Sequence, residues 1–347
     1  MKIGICGDVH FSQFSSIIRS MGEKYSTRLE NMIETLNWVE KTFVEHKVDC
    51  VVYLGDFFDK ESLNSMEITA LQEIEWNNLP HHFIVGNHES AVNNLEYNST
   101  SVLKKLGFDV IDRPSFIVTS NTKIHFIPYI TEDSRKGLRD YLDTPYEKNI
   151  IFSHNDVAGI QYGGFISKNG FTLDEIFKES TLYINGHLHN QEKFYENNEL
   201  KLLNLGNITG QNFSEDAFRY KHQIAILDTD TVSIDYITNP HAINFYKIDL
   251  EKEDDLSKLS KLQNNVVLSI RCEESLRDDL SKKLEGLKSR IIAYKETFFK
   301  NSDNTLDSEK SLPELNSIDH LKQFKEFIIN NLGATDVVFQ ELMEVCN

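Results

Sequence analysis

Short apolar runs and helical periodicities alternate along the first 240 residues of this 347-residue chain. The runs that predict buried strands are residues 2–6, 50–54, 83–85, 150–152 and 182–184. Between them, residues 28–45 and 65–78 carry apolar positions at helical spacing. Such alternation predicts a layered α/β core.

The pattern then loses its helices. Four further strands are predicted at residues 192–195, 200–204, 223–227 and 232–237. Because no helical periodicity separates them, we expect antiparallel hairpins that close a second sheet. The first domain, residues 1–240, is therefore expected to be a two-sheet sandwich flanked by helices.

After Pro240 a smaller α+β unit is predicted over residues 241–300. Strands at 245–250, 266–270 and 291–294 alternate with helices near 254–262 and 275–287. One face of the second helix carries Leu276, Leu280, Leu284 and Leu287. The simplest interpretation is that this face packs on the unit's own small sheet.

The end of the chain divides into a polar segment and two amphipathic helices. Residues 301–311 are predicted to be a flexible linker because they are polar and lack apolar periodicity. Residues 312–347 contain predicted helices at 319–331 and 335–346. The first helix has Leu321, Phe324, Phe327 and Ile328 along one face. This face either packs within a helical hairpin or binds a partner helix, and the pattern does not separate the two interpretations.

Composition adds bounds on cellular location and on partners. Nothing in the sequence indicates a membrane segment, and the first strand begins at Lys2, which leaves no room for a signal peptide. Four cysteines are scattered without a Cys-x-x-Cys spacing, which is typical of a reduced cytoplasmic protein. Lys plus Arg number 36 against 54 Asp plus Glu, for a net charge of −18. A protein that binds duplex DNA alone usually has a basic stripe instead.

Five short polar motifs occur in order along the chain. Each lies where an apolar run gives way to Gly and polar residues, so each is expected in the loop after a strand, where open α/β sheets place their active sites. The motifs are Asp8-Val9-His10, Gly55-Asp56-Phe57-Phe58-Asp59, Gly86-Asn87-His88-Glu89, Ser153-His154 and Gly186-His187-Leu188-His189.

These residue types suit two divalent metal ions that hydrolyse a phosphoester. Two ions about 3.5–4 Å apart bind the phosphate, generate hydroxide and stabilise the leaving oxygen. Asp56 is the expected bridge, since a carboxylate between two cations offsets their repulsion. The expected ligands of one ion are Asp8, His10 and His189, and those of the other are Asn87, His154 and His187. Mixed carboxylate, amide and imidazole ligands favour Mn²⁺ or a similar ion.

Three neighbouring residues are assigned supporting roles. His88, one residue beyond a ligand, is predicted to stabilise the transition state or protonate the leaving oxygen. Asp59 and Glu89 are predicted to orient histidine ligands by accepting their other ring N–H. A catalytically inactive site that has lost its metals is less favoured, because no ligand position carries an apolar residue.

With these motifs the chain resembles the calcineurin-like metallophosphoesterases, and within them the SbcD-type DNA repair nucleases, particularly their tailed-phage branch. The ligand set covers residues 8–189, and the stretch 155–165, with Gly170 and Leu173, is similar to a long loop of the phage nucleases. The resemblance implies a two-sheet metallophosphoesterase sandwich with an α+β cap domain and a C-terminal helical tail. It also implies a Mn²⁺-dependent DNA exonuclease and endonuclease for end processing, recombination and repair.

The same resemblance implies partners. The tail, including Leu321, Phe324, Phe327 and Ile328, would dock the coiled-coil base of an SbcC-type ABC ATPase, and the catalytic domain would form a homodimer near its early helices. The helix at 28–45, with Leu29, Ile33, Leu36 and Val39, fits such a surface or an ordinary core face equally well. The chain has no P-loop, so ATP hydrolysis would belong to the partner. A phage-encoded member would act in the host cytoplasm.

Two departures keep other functions open. Cellular members of the nuclease branch usually carry histidine where Asp59 stands, and Glu89 has the spelling common among phosphatases. The main alternative is a stand-alone metallophosphatase or small-molecule phosphodiesterase, and a non-catalytic binding module comes third. Against a protein phosphatase, Lys60 and Glu61 replace the Arg-Gly that follows the second motif there.

Overall fold

A computed structural model describes residues 1–300 except 92–93, 120, 143–145, 163–164 and 216. The described part belongs to one compact unit, Met1–Lys300. The predicted linker 301–311 and tail 312–347 lie outside the described residues, as do Leu321, Phe324, Phe327 and Ile328.

Helices are few and short apart from the first. The α-helices are α1 Thr27–Glu45, α2 Ser65–Leu71, α3 Ser101–Lys105, α4 Leu173–Glu179 and α5 Arg277–Leu287. The 3-10 helices are Glu132–Ser134, Leu138–Tyr141, Glu253–Lys261, Glu274–Leu276 and Lys288–Arg290. In the described part of the chain, no helix is long and apolar enough to cross a membrane.

Strands make up most of the regular structure. In chain order they are β1 Lys2–Cys6, β2 Cys50–Tyr53, β3 His81–Ile84, β4 Ser90–Ala91, β5 Asn94–Asn98, β6 Asp109–Ile111, β7 Ser115–Val118, β8 Thr122–Ile127, β9 Lys148–Ser153, β10 Val157–Ala158, β11 Gln161–Tyr162, β12 Phe165–Ile166, β13 Phe171–Thr172, β14 Leu182–Asn185, β15 Glu192–Glu196, β16 Glu199–Asn204, β17 Gln223–Asp228, β18 Ser233–Thr238, β19 Asn244–Leu250, β20 Val266–Glu273 and β21 Ile291–Phe299.

Two six-stranded mixed sheets form the sandwich, which confirms the predicted fold class. The first has the order β18-β17-β1-β2-β3-β6, and the second has the order β15-β16-β14-β9-β8-β7. Each sheet has a parallel centre, β1-β2-β3-β6 in the first and β16-β14-β9-β8 in the second. Antiparallel strands complete the edges.

One hairpin expectation was wrong. The β15–β16 hairpin joins the second sheet, but the β17–β18 hairpin pairs antiparallel with β1 in the first. Five of the six residues of β17 are buried, and the strand lies inside the first sheet, between β18 and β1. Periodicity identifies a strand but does not say which strand it pairs with.

The core lies in layers on both sides of the sheets. Alternate strand residues fill the space between the sheets, among them Ile5, Val52, Phe126 and Ile184. The opposite face of the first sheet packs on α1, and that of the second packs on α4. The molecule therefore has a helix–sheet–sheet–helix order.

Helix α1 turns its apolar face inward. Ser26 caps its start by accepting the N–H of Leu29. Leu29, Leu36 and Val39 are fully buried, and Ile33 packs against the same core. Burying each such side chain contributes about 1.5–3 kcal/mol. This face is core, so it does not provide the dimer surface considered above.

Helix α2 is shorter than predicted, and the residues after it make tertiary contacts instead of further helical turns. It starts at a capping box between Asn64 and Glu67 and ends at Leu71 rather than near residue 78. Beyond it, the Trp76 ring lies 4.9 Å from that of Phe108, and the Asn77 side-chain amide donates to the Glu40 carbonyl at 3.1 Å.

Strands β19, β20 and β21 form a separate parallel three-stranded sheet within residues 241–300. Leu276, Leu280 and Leu284 are buried in its own core with Leu287 beside them, as the simpler interpretation predicted. The helix expected near 254–262 is a 3-10 helix, Glu253–Lys261. On another side, Phe245 and Val267 pack against Ile18 of the loop between β1 and α1.

Candidate metal centre

All five motifs follow strands of the parallel centres. Asp8 comes after β1, Asp56 after β2, Asn87 after β3, His154 after β9 and His187 after β14. Parallel strands end at one edge of a sheet, and the two sheets face each other. Their loops therefore bring residues from distant parts of the chain to one place.

The backbone is strained at three of these positions. His10, Asp56 and His187 have positive φ angles of 52°, 46° and 73°. Side chains other than glycine rarely adopt this region, and such strain collects at functional sites. Gly86 permits a close approach, since a Cβ there would lie 2.2 Å from Asp56 Oδ1. The loops thus position their side chains at the cost of unfavourable backbone conformations.

Asp8, His10 and His189 form the first group able to hold a metal ion. The Nε2 atoms of His10 and His189 lie 3.2 Å apart and face each other. Asp8 Oδ2 is buried and has no hydrogen-bond partner among the described residues. A buried carboxylate oxygen without a partner is costly, so this donor set fits a cation between the three side chains.

Asp56, His154 and His187 form the second group. His154 Nε2 lies 3.2 Å from Asp56 Oδ2. Asn87 Oδ1 lies 3.1 Å from the same nitrogen and 3.0 Å from His187 Nδ1. Four donors thus converge on one point, and they are the mixed ligands that suit a first-row divalent ion.

Asp56 is shared between groups. A third potential metal-binding group joins it to His10 and His88, with Asp56 Oδ2 3.9 Å and 4.0 Å from their Nε2 atoms. Asp56 therefore lies between the two ligand sets, the place expected for a bridging carboxylate. His88, to which the sequence assigned a role in the transition state, is also close enough to act as a ligand.

The second ring nitrogens of the candidate histidine ligands lie near carbonyl or carboxylate oxygens. His154 Nδ1 donates to the Leu54 carbonyl at 2.8 Å, and His10 Nδ1 lies 3.3 Å from Asp59 Oδ1, although this contact does not have the geometry of a hydrogen bond. His187 Nε2 lies 3.2 Å from Asp156 Oδ1, and His189 Nδ1 lies 3.2 Å from Glu215 Oε1. Such contacts select the ring nitrogen that faces the metal.

The sequence missed Asp156 and Glu215. Asp156 follows His154 by two residues, so its proximity to a motif was a usable signal. Glu215 is buried far along the chain, and it also accepts the side-chain N–H of Asn207 at 3.1 Å and the backbone N–H of Gln211 at 2.9 Å. No local pattern marks it.

The role predicted for Glu89 requires correction. Its carboxylate accepts backbone N–H groups from Phe57 at 2.6 Å, Phe58 at 3.1 Å and Gly86 at 2.6 Å, and not a histidine N–H. Glu89 thus ties the second motif loop to the third. Its position behind Asp56, rather than beside a ring, explains the difference.

Burial and the neighbouring charges shift these groups in opposite directions. Burial alone would raise the pKa of Asp56, but the rings of His154, His10 and His88 lower it well below its usual value. Burial would lower the pKa of His154, but Asp56 and Asp8 raise it to about 10. Burial and the Asp56 charge raise the pKa of Glu89 to about 8. The buried carboxylates and imidazole rings of this site therefore act strongly on one another.

A cleft of about 260 Å³ opens beside the metal-binding groups. His10, His88 and His189 form one side. The remaining lining residues are Phe14, Ser15, Ser16, Arg28, Asp59, Gln211 and Asn212. A substrate in this cleft would contact both the metal ligands and these side chains.

The chain was compared with family models, curated proteins and solved structures. A family model described as calcineurin-like phosphoesterase matches residues 1–206. A dimetal phosphatase from Danio rerio is 13% identical, with a TM-score of 0.43 over 69% of this chain and 99% of that chain. A purple acid phosphatase from yellow lupin (Lupinus luteus) is 13% identical, with a TM-score of 0.42 over 69% of this chain and 51% of that chain. Among curated proteins, none matches significantly.

Proposed function

This chain belongs to the calcineurin-like phosphoesterase family, and we propose that within this family it is a Mn²⁺-dependent DNA exonuclease and endonuclease. The observation that carries the proposal is Asp56, which is shared by ligand groups on both of its sides. This arrangement suits a two-metal hydrolysis of phosphodiester bonds.

The two ligand sets have separate tasks. Asp8, His10 and His189 would hold one ion, Asn87, His154 and His187 would hold the other, and Asp56 would bridge them. When bound, the ions supply a hydroxide nucleophile and neutralise phosphate charge. Asp59, Asp156 and Glu215, which contact the rings of His10, His187 and His189, would orient these rings for metal binding.

His88 would act as the proton donor. Its Nδ1 donates to the Asp59 carbonyl at 3.0 Å, and its Nε2 lies 4.0 Å from Asp56 Oδ2. The side chain is exposed and lines the cleft. Protonated His88 would transfer the proton on Nε2 to the oxygen that leaves when the phosphodiester breaks, and the ring would become neutral.

Local charge supports a polyanionic substrate despite the net charge of −18. Among the described residues that line the cleft, Asp59 is the only carboxylate, and it faces His10. Arg28 lines the same cleft. The excess acid therefore lies mostly elsewhere, and a bound metal pair would make the site itself cationic.

The proposal includes an SbcC-type ABC ATPase partner with a coiled coil. The chain has no ATP-binding motif, and its net charge implies weak DNA affinity on its own. Leu321, Phe324, Phe327 and Ile328 would form the docking face of the tail. Residues 241–300 would act as a cap, and their contact with Ile18 connects them to the loop that lines the cleft.

The substrate class can be tested with purified protein and Mn²⁺. We expect cleavage of linear duplex or single-stranded DNA and of small phosphodiesters, with little hydrolysis of phosphomonoesters. Asp56→Asn is the matched inactive control. Rapid hydrolysis of phosphomonoesters without DNA cleavage would overturn the proposal in favour of a stand-alone metallophosphatase.

The partner can be tested separately. Deleting the residues after Asn301 should leave slow Mn²⁺-dependent DNA cleavage but remove ATPase binding and ATP-stimulated digestion. Phe324→Asp combined with Ile328→Asp should reproduce this loss in the full chain. Co-purification of the truncated protein with the ATPase would contradict the docking role.

A further inference from the structure

We propose that the cleft beside the metal centre contains a nucleotide subsite in which the Phe14 ring stacks on the base next to the scissile phosphate. The inference rests on the proposed DNA substrate and adds a residue that recognises it. Phe14 and Arg28 both line the cleft that His10, His88 and His189 also line. An aromatic ring and a guanidinium are the groups that bind a base and a phosphate.

Phe14 is strongly exposed to solvent, so its ring does not contribute to the hydrophobic core. It is 63% exposed, although Phe11 and Phe57 nearby are completely buried. The Lys60 ammonium lies 5.0 Å from the centre of the Phe14 ring. One face of the ring thus carries a cation, which suits a binding site for a base attached to a negatively charged backbone.

The backbone holds Phe14 in place. Buried Glu67 of α2 accepts the Ser12 hydroxyl at 3.1 Å and the Gln13 N–H at 3.0 Å. Ser12 Oγ in turn accepts the Phe14 N–H at 3.1 Å. An exposed ring on a fixed backbone loses little conformational entropy when a base stacks on it. The loop therefore presents Phe14 in a prepared position.

Arg28 is an independent sign of an anionic ligand. It is 3% exposed, and the nearby carboxylates of Asp59 and Glu215 act on its charge only through space, without a direct hydrogen bond between them among the described residues. Its Nε is buried without a hydrogen-bond partner among the described residues, while its terminal nitrogen donates to Gln211. A buried guanidinium with an unused N–H beside a metal centre fits a phosphate oxygen.

The rest of the wall is polar and mostly uncharged. Ser15, Ser16 and Asn212 line it, and none of them repels a polyanion. A protein partner would more typically meet several exposed apolar side chains, but Phe14 is the one strongly exposed apolar residue among those that line this cleft. These observations favour a nucleotide.

The first test combines a protein change with a substrate change. Stacking of one base is expected to alter binding about 5- to 150-fold. For the full-length protein with Mn²⁺, Phe14→Ala should raise KM for a DNA oligonucleotide by that amount with a smaller change in kcat, and Phe14→Trp should restore it. An abasic residue beside the cleaved bond should raise KM for the wild type and add no further increase to Phe14→Ala.

Phe116→Ala is the matched control. Phe116 is 47% exposed and has the Lys123 ammonium 3.9 Å from its ring centre, but it does not line the cleft. This variant should keep the wild-type KM and the wild-type sensitivity to the abasic residue. Equal effects of Phe116→Ala and Phe14→Ala would overturn the proposal, since exposed rings in general would then affect DNA binding.

A second measurement avoids catalysis. Oligonucleotides with 2-aminopurine at successive positions, mixed with protein in EDTA, should lose fluorescence at one position with the wild type and not with Phe14→Ala. Absence of any Phe14-dependent quenching or KM change in a wild-type protein that cleaves DNA would refute the subsite alone. If the wild type does not cleave DNA with Mn²⁺, the proposed function itself fails.

Discussion

Two clusters of buried polar side chains lie in the same sandwich and differ in completeness. In the Glu40 cluster, on the helical side of the first sheet, the Tyr53 hydroxyl donates to Glu40 Oε1 at 2.6 Å. His81 Nε2 faces Glu40 Oε2 at 2.9 Å, and His81 Nδ1 faces the Leu79 carbonyl at 2.7 Å. Each polar atom here has a partner supplied by the chain.

The metal centre has the same residue types but leaves them incomplete. Asp8 Oδ2 lacks a partner among the described residues, and two histidine nitrogens face each other. Three of its residues have left-handed backbones, whereas Glu40, Tyr53 and His81 do not. Burial of charge therefore does not by itself mark function. A buried carboxylate oxygen without a hydrogen-bond partner, together with left-handed backbone at neighbouring residues, is the stronger indication of a functional site.

The largest expected effect concerns the shared carboxylate. Asp56→Asn removes a negative charge from between two cations, so Mn²⁺-dependent hydrolysis should be abolished while the far-ultraviolet circular dichroism stays that of the wild type. Hydrolysis of a small phosphodiester under saturating Mn²⁺ measures this. Near wild-type turnover would contradict the two-metal assignment and remove the main difference between the clusters.

The next effect separates proton transfer from ligation. His88→Ala should bind Mn²⁺ as the wild type does but lose about 10²–10⁴-fold in rate, because a positioned acid is removed. Calorimetric titration with Mn²⁺ and steady-state kinetics measure the two quantities. Loss of one bound ion would instead make His88 a ligand in the group it forms with His10 and Asp56.

Local patterns predicted the parts of this molecule that depend on local chemistry. Apolar runs followed by Gly and polar residues located Asp8, Asp56, Asn87, His154 and His187 after their strands. Such signals depend on residues close in sequence, so one chain suffices to find them.

Features set by distant residues were not predictable in this way. Glu215 contacts His189 from 26 positions away, and the pairing of β17 with β1 brings Asp228 beside Lys2. Glu89 has a motif position, but its role depends on the backbone of another loop. Helix α2 ends at Leu71, and the residues that follow make contacts with distant parts of the chain, such as Asn77 with Glu40, which apolar periodicity does not indicate.

A third prediction tests whether the complete cluster is structural. Glu40→Gln should lower the free energy of unfolding by about 3–5 kcal/mol, because His81 loses its buried charged partner. Tyr53→Phe, the milder control, should cost about 0.5–1.5 kcal/mol through one hydrogen bond. Urea denaturation measures both. The Mn²⁺ affinity of the folded protein should not change, and a change would show that the clusters are coupled.

The smallest expected effect concerns Glu215, which resembles both clusters. Both oxygens of its carboxylate have protein partners, and one of these partners is His189 of the metal centre. Glu215 therefore fixes the His189 ring relative to Asn207 and Gln211. Glu215→Gln should weaken Mn²⁺ binding about 10–100-fold, because His189 loses the contact that orients its ring. Asp156→Asn should do the same through His187.

Asp109→Asn provides the control for both carboxylates, since Asp109 Oδ2 contacts the His82 ring at 2.8 Å away from the metal centre. Calorimetry with Mn²⁺ should show wild-type affinity for this variant. If all three substitutions weaken Mn²⁺ binding equally, the effect comes from net charge rather than orientation. Glu215→Gln could instead lower the thermal midpoint as much as Glu40→Gln does and leave the Mn²⁺ affinity unchanged. Glu215 would then have a purely structural role, like Glu40, and would not orient His189.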